Sequence, residues 1–214
     1  MSFNHLFLDL DGTLYPGNNG IWELIADRME RYMHEKIGIP LEDVPETRRR
    51  YFLEYGTTLR GLMNNHPIDP EHFLAFVHDI PVEEYLEPDP RLREVLEAIP
   101  QTKWILTNSD TGHATRVLNV LGLIDLFEGI LDITHMEYEN KPNPGVFHKA
   151  LAFAGNAKAE KCVFVDDIPH NVDQARRLGW ITVLVGNKPN NGEADYQIED
   201  IYQLNEVLEQ INHG

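Results

Sequence analysis

The sequence predicts an α/β fold in which a doubly wound parallel sheet is interrupted by one inserted helical segment. Three observations predict it. Short apolar runs alternate with segments of helical spacing, giving five strand–helix pairs. Glycines stand just past three of the later helices, at Gly122, Gly155 and Gly179, where helices commonly stop. Residues 16–85 carry only helical patterns, so they break the alternation after the first strand rather than extend it.

The elements follow in order. Residues 3–10 read as a short buried strand ending in Asp9 and Asp11, and Gly12 to Gly20 as a loop. Residues 21–37 place Ile21, Leu24, Ile25, Met29, Tyr32 and Met33 on one side of a helix. Stretches 41–55, 56–65 and 70–79 read as helices broken by Pro45, Gly56, Pro67 and Pro70, and 90–99 as a helix of the main domain. Then come strand 104–106, helix 112–121, strand 130–133, helix 145–154, strand 163–165, helix 169–178, strand 181–185 and a last helix near 201–212. The expected organisation is a core of residues 1–15 and 86–214, with 16–85 inserted as a helical cap over the carboxyl ends of the strands. Ligands of parallel sheets bind at those ends.

Composition narrows the function classes. With 214 residues, 42% hydrophobic and 25% charged, the chain suits a globular domain with an insertion. No apolar run approaches the roughly 18–20 residues that span a bilayer. No basic stretch precedes the first apolar run, so no signal peptide is expected. The single cysteine, Cys162, sits in the run Cys162-Val163-Phe164-Val165 and reads as a buried structural thiol. A reducing cytoplasm is the expected location. The formal charge of −17, from 18 basic and 35 acidic residues, argues against binding a nucleic-acid polymer. It leaves room for a small anion where a divalent cation and a well-placed basic group reverse the potential locally.

Polar residues collect at the strand ends. Asp9-Leu10-Asp11-Gly12-Thr13 places two carboxylates two residues apart, pointing the same way on a continuing strand, before a glycine that allows a turn with backbone N–H groups facing an anion. An acidic turn would also carry this pattern, but its place after an apolar first strand favours a site. Thr107 and Asn108 follow the second apolar run, where a hydroxyl and neighbouring N–H groups can donate to phosphate oxygens. The alternative is a plain helix cap, a task open to Ser109, Asp110 or Thr111. Lys141 lies in the stiff loop Asn140-Lys141-Pro142-Asn143-Pro144, a point charge able to bind phosphate; alone, it would read as a solvated loop lysine. Asp166-Asp167 follows Val163-Phe164-Val165, and adjacent carboxylates at a strand end call for a cation. With Asp9 they form a hard oxygen site that suits Mg²⁺. No His/Cys cluster points to zinc, and each histidine reads by default as a surface or packing residue.

The order DLDGT (9–13), LTN (106–108), KPNP (141–144) and VDD (165–167) resembles the four motifs of the haloacid dehalogenase-like hydrolase superfamily, across nearly the whole Rossmann-like core. The helical insert is similar to its class 1 cap. A narrower resemblance, to the pyrimidine 5′-nucleotidase branch, lies in Thr13-Leu14-Tyr15-Pro16, in residues 55–62 and in His113-Ala114-Thr115-Arg116-Val117-Leu118. Residues 55–62 also read as a helix start with a packing Leu and Gly.

The resemblance implies a Mg²⁺-dependent phosphomonoester hydrolase. Asp9 would be the nucleophile that becomes an aspartyl-phosphate, and Asp11 the acid, then base. Mg²⁺ would be held by Asp9, the backbone carbonyl of Asp11 and the side chain of Asp167, with Asp166 reaching it through water or orienting Lys141. Substrate would contact Leu10, Thr107, Asn108 and Lys141, with Tyr15 and Arg60 at the leaving group. UMP and CMP are the expected substrates; a broad sugar- or cofactor-phosphate phosphatase is the alternative. Asp11 excludes a dehalogenase and leaves phosphatase or phosphomutase. A phospho-receiver domain and an inactive binding scaffold are the readings from other classes. No membrane and no nucleic-acid partner are expected.

Overall fold

The computed structural model describes residues 2–213, and these divide into two compact units, 2–17 with 86–213, and Asn18–Tyr85. The first unit is a six-stranded, all-parallel sheet flanked by helices. After β1 (His5–Leu8) the chain leaves this unit and returns with α5 (Pro90–Glu97), β2 (Thr102–Leu106), α6 (Thr111–Leu121) and β3 (Gly129–Leu131). It continues with α7 (Pro144–Phe153), β4 (Cys162–Asp166), α8 (Pro169–Arg177), β5 (Ile181–Val185), β6 (Tyr196–Ile198) and α9 (Leu204–His213). Strand order is β3-β2-β1-β4-β5-β6, so β1 lies inside the sheet, with Phe7 opposite Trp104 on one side and Phe164 on the other.

Strands covered on both faces must be apolar throughout. Leu6, Phe7, Leu8, Ile105, Leu106 and Val163 to Val165 are fully buried, each large side chain contributing about 1.5–3 kcal/mol. Trp180 closes one face, its ring edge-on to Phe7, Phe147 and Phe164 at centroid distances of 5.0, 5.9 and 6.3 Å. Burial raises the Cys162 thiol to about 12, with Glu160 adding to it.

The second unit consists of α1 (Ile21–Glu35), α2 (Val44–Tyr55), α3 (Thr58–Asn65) and α4 (Pro70–Val77). Tyr32 of α1 packs edge-on against Phe73 and Phe76. Helices α2 and α3 approach so closely at Gly61 that an added Cβ would stand 2.3 Å from Tyr51.

The structure corrects several boundaries. Pro45 and Pro70 do not break helices but begin them, since a first-turn proline lacks only an N–H that has no helical partner. The third strand stops at Leu131, because Asp132 turns out of the sheet. A sixth strand, β6, adds to the edge next to β5. Among the described residues no helix is long and apolar enough to cross a membrane.

Candidate active site

Four strand-end segments of the sheet unit deliver the polar residues. Asp9 is held at the tip of β1 by its backbone N–H, which donates to Val165 O at 2.9 Å. Asp166 ends β4 and Asp167 follows it. Lys141 comes from the β3–α7 loop, and its ammonium is almost wholly enclosed. Lys141 Nζ contacts Asp9 Oδ1 at 2.8 Å, Asp166 Oδ2 at 2.7 Å and Leu106 O at 2.8 Å. A lysine has three donor hydrogens, and these contacts account for all of them.

Burial alone would lower Lys141, but Asp166 and Asp9 outweigh it and hold the ammonium protonated above its ordinary value. Asp9 is pushed well upward, first by burial, then by Asp166 and Asp167, with Lys141 opposing. Asp167 is raised by burial and Asp166, against Lys188, whose Nζ lies 2.8 Å from Asp167 Oδ2.

The donor set fits a hard divalent cation. One carboxylate oxygen from each of Asp9, Asp166 and Asp167 lies within 4.8 Å of the others, with no His or Cys in the group. Asp166 is already saturated: Oδ1 accepts from Ile168 N and Asn171 Nδ2, Oδ2 from Asn171 Nδ2 and Lys141 Nζ. It therefore orients Lys141, leaving Asp9 and Asp167 as the carboxylates with capacity for an ion. Gly12 keeps the space beside them open. Its φ of +89° suits glycine, and an added Cβ would meet the Asp167 carboxylate at 3.0 Å.

Asp11 belongs to a separate hydrogen-bonded set. Its Oδ1 accepts from Tyr15 Oη and from His113 Nε2 at 2.8 Å, and its Oδ2 from Ser109 Oγ at 2.7 Å. Burial would raise this carboxyl, but His113, Tyr15 and Ser109 together hold it far below the usual range. The Tyr15 hydroxyl is pushed up in turn, by burial and by Asp11.

The other expected contacts have definite places. Leu10 is buried, and its carbonyl accepts from Thr13 N and Leu14 N, closing the turn. Thr107 Oγ1 accepts from Ser109 N at 3.0 Å. The Asn108 side chain pins the Lys141 backbone, accepting from its N–H at 2.8 Å and donating to its carbonyl at 3.3 Å. Tyr15 faces Asp11. Arg60 is half-buried on α3 of the helical unit, where Thr57 caps its backbone N–H.

Sequence reasoning missed His113, Ser109 and Lys188 as site residues. The first two occupy the turn after β2 and the first turn of α6, where a helix leaving a strand end points polar side chains back toward the site. That position was the available signal for His113. Asp132 was missed as well: it is 1% exposed and accepts from the backbone N–H groups of Thr111, Thr134 and His135, both Thr hydroxyls and the His135 ring. It fastens the end of β3 to the start of α6.

Comparison with known proteins shows the family. Residues 3–179 match the family model described as haloacid dehalogenase-like hydrolase. The chain is 30% identical over 190 residues to phosphate metabolism protein 8 of Saccharomyces cerevisiae; the match covers 81% of this chain but only 58% of the yeast protein. It is 26% identical over 200 residues to pyrophosphatase PpaX of Halalkalibacterium halodurans, covering 87% and 85% of the two chains. The fold is similar to that of a crystal structure of a HAD phosphatase from Thermococcus onnurineus, with a TM-score of 0.65 at 22% identity, covering 96% of this chain and 97% of that one.

Proposed function

The chain belongs to the haloacid dehalogenase-like hydrolase family, and from that premise and the geometry above we propose that it hydrolyses small phosphomonoesters with Mg²⁺ as cofactor. One observation carries the reading: Asp9, at the tip of an interior strand, lies 2.8 Å from a buried ammonium and within a group of three carboxylates, while Asp11, two residues on, is held by a different set of donors. That separation divides nucleophile from acid–base. The similarity to the yeast phosphate metabolism protein and the bacterial pyrophosphatase supports the same reading.

Mg²⁺ would be held by Asp9, Asp167 and the backbone carbonyl of Asp11, and would supply positive charge that offsets the repulsion between a dianionic phosphate and a carboxylate. An Asp9 oxygen attacks phosphorus, and the bond to the leaving oxygen breaks, with a proton delivered by Asp11. As Asp9 engages phosphorus, Lys141 shifts its contact from Asp9 Oδ1 to a phosphoryl oxygen, still steered by Asp166. Thr107 lies on the same phosphoryl group. Water then attacks the aspartyl-phosphate and the P–O bond to Asp9 breaks, while Asp11, ionised by its transfer to the leaving group, accepts the proton.

The finer reading is a pyrimidine 5′-nucleotidase acting on UMP and CMP, supported by the resemblance at residues 13–16, 55–62 and 113–118. Leaving-group selection falls to residues 16–85, acting as a cap, with Arg60 as the candidate contact. Phosphate release from p-nitrophenyl phosphate tests the coarser reading: it should require Mg²⁺, stop with EDTA and vanish in Asp9→Asn. Turnover that survives chelation or that substitution rejects it. A panel of UMP, CMP, AMP, GMP, sugar phosphates and inorganic pyrophosphate, ranked by kcat/KM, tests the finer one; preference outside the pyrimidine monophosphates rejects it.

A further inference from the structure

The grip on Asp11 is more elaborate than a turn requires. Tyr15, Ser109 and His113 come from the loop after β1, the turn after β2 and the first turn of α6. Two of these anchors are themselves fixed. Ser109 N donates to Thr107 Oγ1 and Ser109 O accepts from Ile133 N, while His113 N donates to Asp110 Oδ1 at 2.9 Å. The His113 side chain is 0% exposed. A buried imidazole costs desolvation that an aliphatic side chain would not, yet this ring is aimed at a carboxylate.

An aspartate side chain turns about two torsions, and one hydrogen bond leaves it free to swing. Donors on both oxygens, from separate backbone segments, fix the carboxylate plane. Oδ1 accepts two donors and Oδ2 one, which leaves a lone-pair position on Oδ2 to take a proton.

We propose that His113 is a positioning residue for the second half-reaction, holding Asp11 in the orientation from which it takes a proton from water. This rests on the phosphohydrolase reading above. In that step the water oxygen bonds to phosphorus, and the P–O bond to Asp9 breaks with its electron pair returning to the Asp9 carboxylate. The proton lost by water passes to Asp11. The first step on p-nitrophenyl phosphate needs no proton donor, because p-nitrophenolate departs as a stable anion. Loosening Asp11 therefore slows the second step and spares the first.

The test follows both steps in the full chain with Mg²⁺ and p-nitrophenyl phosphate by rapid mixing and acid quench. Release of p-nitrophenolate gives the rate of the first step, and decay of trapped aspartyl-phosphate gives the second. In His113→Ala the second rate should fall about 10–100-fold, the scale of a mispositioned acid–base group, while the first stays within about threefold. Aspartyl-phosphate should accumulate as a burst. His113→Gln keeps a side-chain N–H and should recover part of the second rate. If the Ala variant does not fold, the Gln variant is judged by the same split, with an intermediate loss expected. Equal losses in both steps mean a merely structural role, and an unslowed second step means no role; either overturns the proposal. If the wild-type protein forms no aspartyl-phosphate and releases no p-nitrophenolate, the phosphohydrolase reading itself falls, an outcome distinct from the other two.

Discussion

Replacing Asp132 by asparagine should destabilise the sheet unit without touching the reacting groups. The carboxylate accepts on one oxygen from the N–H and hydroxyl of Thr111, at 2.8 and 2.7 Å, and on the other from Thr134 and His135. Hydroxyls can reverse their role toward an amide NH₂; backbone N–H groups cannot. In either amide orientation at least one backbone N–H loses its acceptor; Thr111, Thr134 and His135 are themselves exposed, so this costs about 0.5–1.5 kcal/mol, and the remaining bonds change from charged to neutral, at about 1 kcal/mol in total. The expected loss is about 1.5–2.5 kcal/mol, or roughly 3–10 °C in Tm for a chain of this length. Thermal unfolding followed by circular dichroism at neutral pH measures it. The pH dependence has a definite sign. Burial would raise the Asp132 carboxyl, but the donors from His135, Thr111 and Thr134 outweigh it and hold it below its ordinary value of 3.8. Its contribution is therefore complete above the unfolded value and disappears as pH falls through the folded one. The gap between wild type and variant should narrow on acidification below about pH 4. A Tm loss under about 2 °C, or a gap that widens in acid, would refute the hydrogen-bond accounting.

Two further outcomes are expected. Gly12→Ala combines a left-handed backbone position with a Cβ 3.0 Å from the Asp167 carboxylate, so it should raise the half-saturating Mg²⁺ concentration of phosphatase activity at least about tenfold, equivalent to ~1.4 kcal/mol; an unchanged value would separate Gly12 from the metal site. Cys162 is fully buried with its thiol raised to about 12, so a thiol reagent should label it at neutral pH only as the protein unfolds. Rapid labelling of the native chain would contradict that burial.

The strands were legible because apolar runs in a covered parallel sheet stand out from any amphipathic pattern; Asp9, Thr107 and Asp166 were legible because each follows such a run directly, whereas Lys141, ten residues past the end of β3, was legible only through the motif around it. β6 was not. Tyr196-Gln197-Ile198 is three residues long, only Ile198 is buried, and its pairing to β5 supplies what its composition does not. Asp132 was read into a strand because Ile130, Leu131 and Ile133 surround it; its exit depends on donors from α6 and the following turn, which no local window contains. Adjacency to Thr107 marks Asn108 as a substrate contact; no local window shows that its side chain also braces a loop 33 residues away. His113 was discounted because a lone histidine carries no spacing signal, and its meaning lies in a partner 102 positions earlier.

The interior place of β1 has a consequence for how the protein is made. Its neighbours are β2 on one side and β4 on the other, with Leu8 opposite Ile105 and Val165. At about 5–20 residues per second, the ribosome takes roughly 8–30 s after finishing Leu8 to complete Val165. Until then the strand bearing the proposed nucleophile lacks one of its two lateral partners, and Leu6, Phe7 and Leu8 have no finished sheet in which to hide. The helices between Ile21 and Val77, by contrast, are all complete before β2 is made. On the nascent chain β1 is thus made well before it can be locked in place.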